Sequence, residues 1–236
     1  MGRKIRYGIA VMALFVLSTV IIWPYSFNYA EAEYIYAHTP ETANPDMLAA
    51  IIILPDNKED WNAAKGIIKR ISSLPKYLLA KIESHGIRIR LFTNQLTDQP
   101  EAAHLKGVMP RGYTNTYWDD VPGMGGGRTV LVKVGSSERG KGHESANLEL
   151  HELAHSVDSI ILSDISHSAE FKAIWHTEVN QLFPNRQYFL DHPEEYFAEA
   201  FTLYFYQDET RNKLYEDAPL TYAFFRELEL NKFESQ

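Results

Sequence analysis

The 236-residue chain contains no cysteine. That absence excludes a disulfide framework and every cysteine-based zinc finger, so a metal site here must draw on His, Asp or Glu. Basic charge is scarce as well: 23 Lys and Arg stand against 31 Asp and Glu, a formal net charge of -8. The acidic balance argues against nucleic acid as a partner, whose phosphates need a basic surface, and by itself signals solubility rather than function. Internal repeats and low-complexity linkers are missing beyond the N-terminal segment, which leaves one unit from about Tyr34 to Phe233. What is present is apolar bulk: 45% hydrophobic and 13% aromatic content suffice for a substantial core, in one domain or two small subdomains.

The longest apolar run, Ile9 to Trp23, covers about fifteen residues and falls short of a bilayer-spanning helix, which needs roughly 20. Arg3, Lys4 and Arg6 precede it, and Pro24 and the small-residue pattern Ala30-Glu31-Ala32 follow. This is the anatomy of a secretory signal over residues 1–32, cleaved after Ala32, with the remainder secreted. The alternative is an uncleaved anchor that keeps its basic residues in the cytoplasm, leaves the remaining chain outside the cell, and makes the membrane a partner. Removing residues 1–32 takes away three basic residues and Glu31, leaving 20 basic against 30 acidic residues and a net charge of -10.

Two halves, about residues 33–142 and 143–236, differ in pattern. In the first, the apolar run Leu48–Leu54 predicts a buried strand, and Trp61, Ala64, Ile68 and Ile71 recur at helical spacing until Pro75. A second short helix is expected to end near Gly86. Ile87–Leu91 alternates with period two, and Thr129–Val134 is a β-branched run bounded by glycines; both predict strands. After Gly142 the pattern predicts long helices: Ala146–Ile161, one through Phe171, Ile174, Trp175, Val179 and Leu182 that stops at Pro184, one from Pro193, and one over Thr221–Leu230. Strands followed by helices imply an α+β fold, a small mixed N-terminal part and a mainly helical C-terminal part with a cleft between them.

The chemistry concentrates in His151-Glu152-Leu153-Ala154-His155. On a helix flanked by Leu148, Leu150 and Val157, two histidines four apart project from one face and can chelate one metal ion. Glu152 lies about 100° further around, placed to reach a metal-activated water without being a ligand itself. A catalytic zinc normally takes three protein ligands and keeps one open position. A third His six residues after the second is ruled out because Ile161 stands there. Glu195 and Glu199, four apart on an otherwise apolar helix, supply the missing acid: one binds metal and the other supports a ligand, since buried carboxylates need a cation or a donor. Glu199 lies too deep in its helix for a dipole effect, which points it to the supporting role. Glu194 suits an ordinary first-turn acid equally well. Asp158, one turn beyond His155, orients a ligand or is an exposed acid.

These residues, together with Tyr188, the segment Glu195–Phe201, Trp118–Gly123 and the run Gly140–His155, resemble the catalytic domain of the anthrax lethal factor family, most nearly its small secreted Pro-Pro endopeptidases. The likeness spans roughly residues 48–232 and implies a zincin-like fold. It implies one zinc ion per chain held by His151, His155 and Glu195, with Glu152 as general base and Tyr188 as hydrogen-bond donor to the oxyanion. It further implies Trp118, the Gly125-Gly126-Gly127 loop and Glu194 as substrate contacts, a proline-rich peptide or surface protein as partner, cleavage between two prolines, and a monomer. Thr116 departs from members that carry a basic residue two before the tryptophan, which sets the flanking preference apart. Taken alone, Trp118 reads as core and the glycines as a turn.

Two rival readings belong to other classes. The run Gly135–Lys141 approximates a phosphate-binding loop, but Gly142 replaces the Ser or Thr that would hold magnesium. A metal-stabilised module that binds a surface protein without cutting it would leave Glu152 dispensable.

Overall fold

The run around Leu48 does not continue as a strand. In the computed structural model, which describes residues 45–110 and 115–230, it forms helix α1 (Pro45–Ile51), and only then strand β1 (Ile52–Ile53). Asp46 suits a first helical turn and Ala49 and Ala50 favour helix, while a short apolar run cannot by itself distinguish a buried helix from a buried strand. The expected leader over residues 1–32 lies outside the described residues. Among the described residues no helix is long and apolar enough to cross a membrane.

Helix α2 (Trp61–Ser72) buries Trp61, Ala64, Ile67, Ile68 and Ile71, the stripe its spacing predicts. Helix α3 (Lys76–Ser84) follows, and Gly86 at φ 68° turns the chain into β2 (Arg88–Phe92). Strands β3 (Gly123–Met124) and β4 (Thr129–Lys133) complete a four-stranded sheet in the order β1-β2-β4-β3. The first three strands in that order run parallel, with Arg88 opposite Thr129 and Phe92 opposite Lys133; β3 runs antiparallel at the edge, with Met124 opposite Leu131. β3 was not expected, because Gly-Met carries no strand propensity of its own.

The second half is helical: α4 (Leu148–Ser156), extended by a π-helical turn over Val157–Ile161, then α5 (Ala169–Leu182), α6 (Gln187–Asp191), α7 (Pro193–Tyr206), α8 (Asp208–Asp217) and α9 (Pro219–Leu228). The helices expected there are found. Helix α6 is too short for a periodic signal, and α8 buries only Leu214, so its sequence shows no apolar stripe. The chain is thus mixed α+β, mostly helical with a small sheet.

Helices α4 and α7 make the most extensive contact in the fold. Helix α7 buries Tyr196, Phe197, Ala198, Ala200 and Phe201, and Phe197 meets Phe171 at 5.4 Å and Phe225 at 5.2 Å between ring centroids. Helix α9 has no side-chain cap of its own; the Glu178 carboxylate of α5 instead accepts from the N–H groups of Leu220 (2.7 Å) and Thr221 (2.8 Å). One buried cluster runs from Leu48 to Leu228, and a satellite of Phe92, Leu96, Ala102 and Leu131 sits beneath Trp118 and Met124.

Because Phe197 lies at the centre of the ring cluster behind α4, Phe197→Ala is predicted to cost about 3–5 kcal/mol. Thermal unfolding should fall by on the order of 10 °C, and an unchanged midpoint would contradict this placement of the core.

Candidate active site

The site starts at the N-terminus of α4. Asn147 is extended (φ -153°) and its side chain accepts from the Leu150 N–H at 3.1 Å, which fixes where the helix begins. From that start His151 and His155 fall one turn apart, with ring centroids 4.9 Å from each other. Helix α7 crosses here and brings Glu195 from its first turn. His151 Nε2 lies 3.2 Å from Glu195 Oε2, His155 Nε2 3.5 Å from the same oxygen, and the two Nε2 atoms 3.3 Å apart. A metal with tetrahedral bonds of about 2.0–2.1 Å sets its ligand atoms about 3.4 Å from one another. The three side chains present that spacing, and His151, His155 and Glu195 are the group among the described residues able to hold a metal ion.

One turn further along α7, Glu199 is 1% exposed. Its Oε2 takes His151 Nδ1 at 3.2 Å, and its Oε1 accepts from the Ala146 N–H at 2.9 Å and from Arg139 at 3.4 Å. The second ring nitrogen of His151 is thereby fixed, which leaves Nε2 aimed at Glu195. Glu152 lies on the cavity side of α4. That cavity, about 680 Å³, is lined by Trp118, Gly125, Gly126, His151, Glu152, His155, Tyr188, Glu194 and Glu195 among others.

The sequence profile of the anthrax toxin lethal factor N- and C-terminal domain matches residues 38–228. The chain belongs to the anthrax lethal factor-like family. Within reach of this lethal factor-like chain stands a Pro-Pro endopeptidase of Clostridioides difficile, 40% identical over 225 residues that cover 93% of this chain and 96% of the other. A Pro-Pro endopeptidase of Paenibacillus alvei is 37% identical over 223 residues, covering 94% and 97%. A solved structure of the Pro-Pro endopeptidase (PPEP-2) from Paenibacillus alvei superposes with a TM-score of 0.73 at 41% identity, covering 77% of this chain and 99% of that one. The lethal factor-like chain is a metalloendopeptidase.

The remaining residues of the lethal factor-like site divide by what they touch. Tyr188, on α6, is 45% exposed at the cavity wall, with its ring 5.2 Å from that of His192. Trp118 is half-buried and serves two surfaces, packing on the satellite core and lining the cavity. Glu194 lines the cavity between His192 (3.6 Å) and His167 (4.0 Å). Gly127 is not among the lining residues; its carbonyl accepts from Ser156. Asp158 also reaches the cavity, but its carboxylate accepts from the Ser166 N–H at 2.9 Å and from the Ser166 hydroxyl, holding the turn after the π-helical segment. Contacts that spacing could not announce include Arg139 on Glu199 and two serines, Ser156 and Ser159, on the glycine loop. Lone serines and arginines carry no motif.

Close approach explains the glycines nearest the helix. A Cβ on Gly123 would lie 2.8 Å from Glu152 Cγ, and one on Gly125 would run into the Glu152 carbonyl oxygen. Burial raises the Glu152 carboxyl, opposed by the histidines and by a hydrogen bond from the Gly125 N–H. For Glu195, burial alone would also raise the carboxyl, but the hydrogen bonds from His151 and His155 outweigh it and hold the group well below the usual carboxylate range. Burial of His151 works against its protonation, yet Glu195 and Glu199 prevail and push it up to about 10.

A proton therefore sits on His151 near neutral pH in the metal-free protein and must leave when a metal binds. Apparent metal affinity is predicted to drop about tenfold for each unit by which pH is lowered, per proton displaced. Calorimetric titration at pH 7 in two buffers of different ionisation enthalpy should report about one proton released per ion; heats independent of buffer would contradict it.

Proposed function

We propose that the chain is an exported zinc endopeptidase that cuts proline-rich protein segments between two prolines. The observation that carries the reading is the tetrahedral spacing of His151 Nε2, His155 Nε2 and Glu195 Oε2 beside a half-buried Glu152 that lines the cavity. His, His and Glu form a donor set suited to zinc, with one position left for water or substrate. In this reading the fold is zincin-like, and the cleft lies between residues 33–142, which supply Trp118 and the glycines, and residues 143–236, which supply the metal ligands.

When bound there, zinc supplies a Lewis acid that polarises the scissile carbonyl and makes a water nucleophilic near neutral pH. Glu152 takes the proton from the attacking water. Its place on the cavity face of α4, where desolvation raises its pKa, suits a base. The same carboxyl then passes the proton to the departing nitrogen, a step that weighs heavily when that nitrogen belongs to proline and leaves only once protonated. Tyr188, exposed on the cavity wall, donates a hydrogen bond to the oxyanion. Glu199 keeps the His151 ring in the orientation that ligation requires.

The proline preference draws its support from the relatives, which are named Pro-Pro endopeptidases at 40% and 37% identity. Physical features agree with it. A polyproline segment is stiff and lacks N–H groups, so its recognition rests on shape and aromatic stacking, for which Trp118 and the glycine loop are available at the cavity wall. Glu194 adds an acidic contact beside the metal ligands. Export fits the leader over residues 1–32, removed after Ala32, and the protein acts as a monomer with one zinc ion.

Glu152→Gln is expected to keep its zinc, measured by elemental analysis, while kcat falls by about 10²–10⁴. Tyr188→Phe should lower kcat by about 10²–10³ with KM little changed. Product mass spectrometry on a proline-containing peptide library should place the cuts between adjacent prolines. Undiminished turnover by Glu152→Gln, or cuts indifferent to proline, would sink the corresponding part of the reading.

A further inference from the structure

The glycine loop gives its backbone to the metal-carrying helix. Ser156 Oγ accepts from the Gly126 N–H at 3.1 Å and donates to the Gly127 carbonyl at 2.7 Å. Ser159 Oγ, on the π-helical turn, donates to the Gly126 carbonyl at 2.9 Å. Both polar groups of Gly126 and the carbonyl of Gly127 are thus spoken for from within the protein. Ser156 is fully buried in a helix, where a serine commonly returns its hydroxyl to a carbonyl of the preceding turn; here it donates across to the loop instead.

This arrangement bears on what the cleft edge can offer. Strand β3 is the edge of the sheet, and an edge strand normally presents free N–H and C=O groups to an incoming chain. The ladder stops at Met124, and beyond it Gly126, which lines the cavity beside Ser159, has both its hydrogen-bonding groups taken by Ser156 and Ser159. A free carbonyl at that edge would favour a substrate residue with an N–H and be left unpaired against proline. Sites built to pair a polar group discriminate strongly against a substrate that lacks it.

We propose that Ser156 and Ser159 are specificity-determining positioning residues: by engaging both polar groups of Gly126 they leave that stretch of the cleft edge without a spare acceptor, so that proline is not penalised there. The inference rests on the proline-rich substrate proposed above. The serines act through the loop and touch neither metal ligands nor scissile bond, so they set the choice of substrate rather than the chemistry.

The test compares kcat/KM for a peptide with two central prolines against the same peptide with one of those prolines replaced by alanine. The wild-type protein, Ser159→Ala, Ser156→Ala/Ser159→Ala and Ser156→Thr are each loaded with zinc. In the double variant the proline-to-alanine selectivity ratio should fall roughly tenfold, and in Ser159→Ala about threefold, because freed carbonyls reward the alanine N–H. Ser156→Thr keeps a hydroxyl and should keep the wild-type ratio. A purely structural role would lower both rates in step and leave the ratio alone. An unchanged ratio in the double variant, or in Ser159→Ala should the double variant fail to fold, overturns the inference and leaves the proline reading standing. A wild-type protein that shows no preference for the two-proline peptide overturns that reading, and the inference with it.

Discussion

A carboxylate that is 1% exposed must find donors, and the three that Glu199 finds organise the active site. Its position on α7 is set by the packing of that helix, whose Phe197 and Phe201 meet Phe171 of α5 and Phe225 of α9. From there it grips His151 Nδ1 on α4, the Ala146 N–H just before that helix, and Arg139 in the loop that follows β4. One side chain thus ties three segments. Its own helix delivers Glu195 one turn earlier, so the proposed ligand Glu195 and the group that orients His151 share a rigid element.

The glycine loop is held to the same helix by a second set of contacts. Gly123 and Gly125 approach Glu152 so closely that a side chain has no room. Ser156 at the end of α4 and Ser159 on the turn beyond it take both polar groups of Gly126 and the carbonyl of Gly127. The helix therefore carries the proposed metal ligands and base on one stretch and the wall of the cleft on the next. A shift in α4 would disturb ligation, base and substrate wall together, which accounts for the investment of so many buried contacts in that one element.

What could be seen in the sequence was what repeats at a helical period or carries a charge in an apolar setting. His151 and His155 at four-residue spacing, and Glu195 and Glu199 likewise, announce themselves on helices whose flanking leucines and aromatics mark the buried face. The helices through Phe171 and from Pro193 were legible for the same reason. The run at Leu48 was not, because seven apolar residues fit a buried helix and a buried strand alike until tertiary contacts choose. Strand β3 owes its existence to β4 beside it, and α8 is too polar to display a stripe. Asp158 shows the same boundary: the spacing placed it one turn from His155, whereas its hydrogen bonds go to Ser166, eight residues on. Side chains that bond to backbone across a turn, such as Ser156 and Arg139, leave no trace in spacing at all.

The most direct measurement is anomalous diffraction at the zinc absorption edge from crystals of the zinc-loaded protein. The account predicts one peak per chain within bonding distance, about 2.0–2.2 Å, of His151 Nε2, His155 Nε2 and Glu195 Oε2, with Glu199 still bonded to His151 Nδ1 and not to the ion. A peak ligated by Glu199 in place of Glu195, or one centred away from the two histidines, would contradict it.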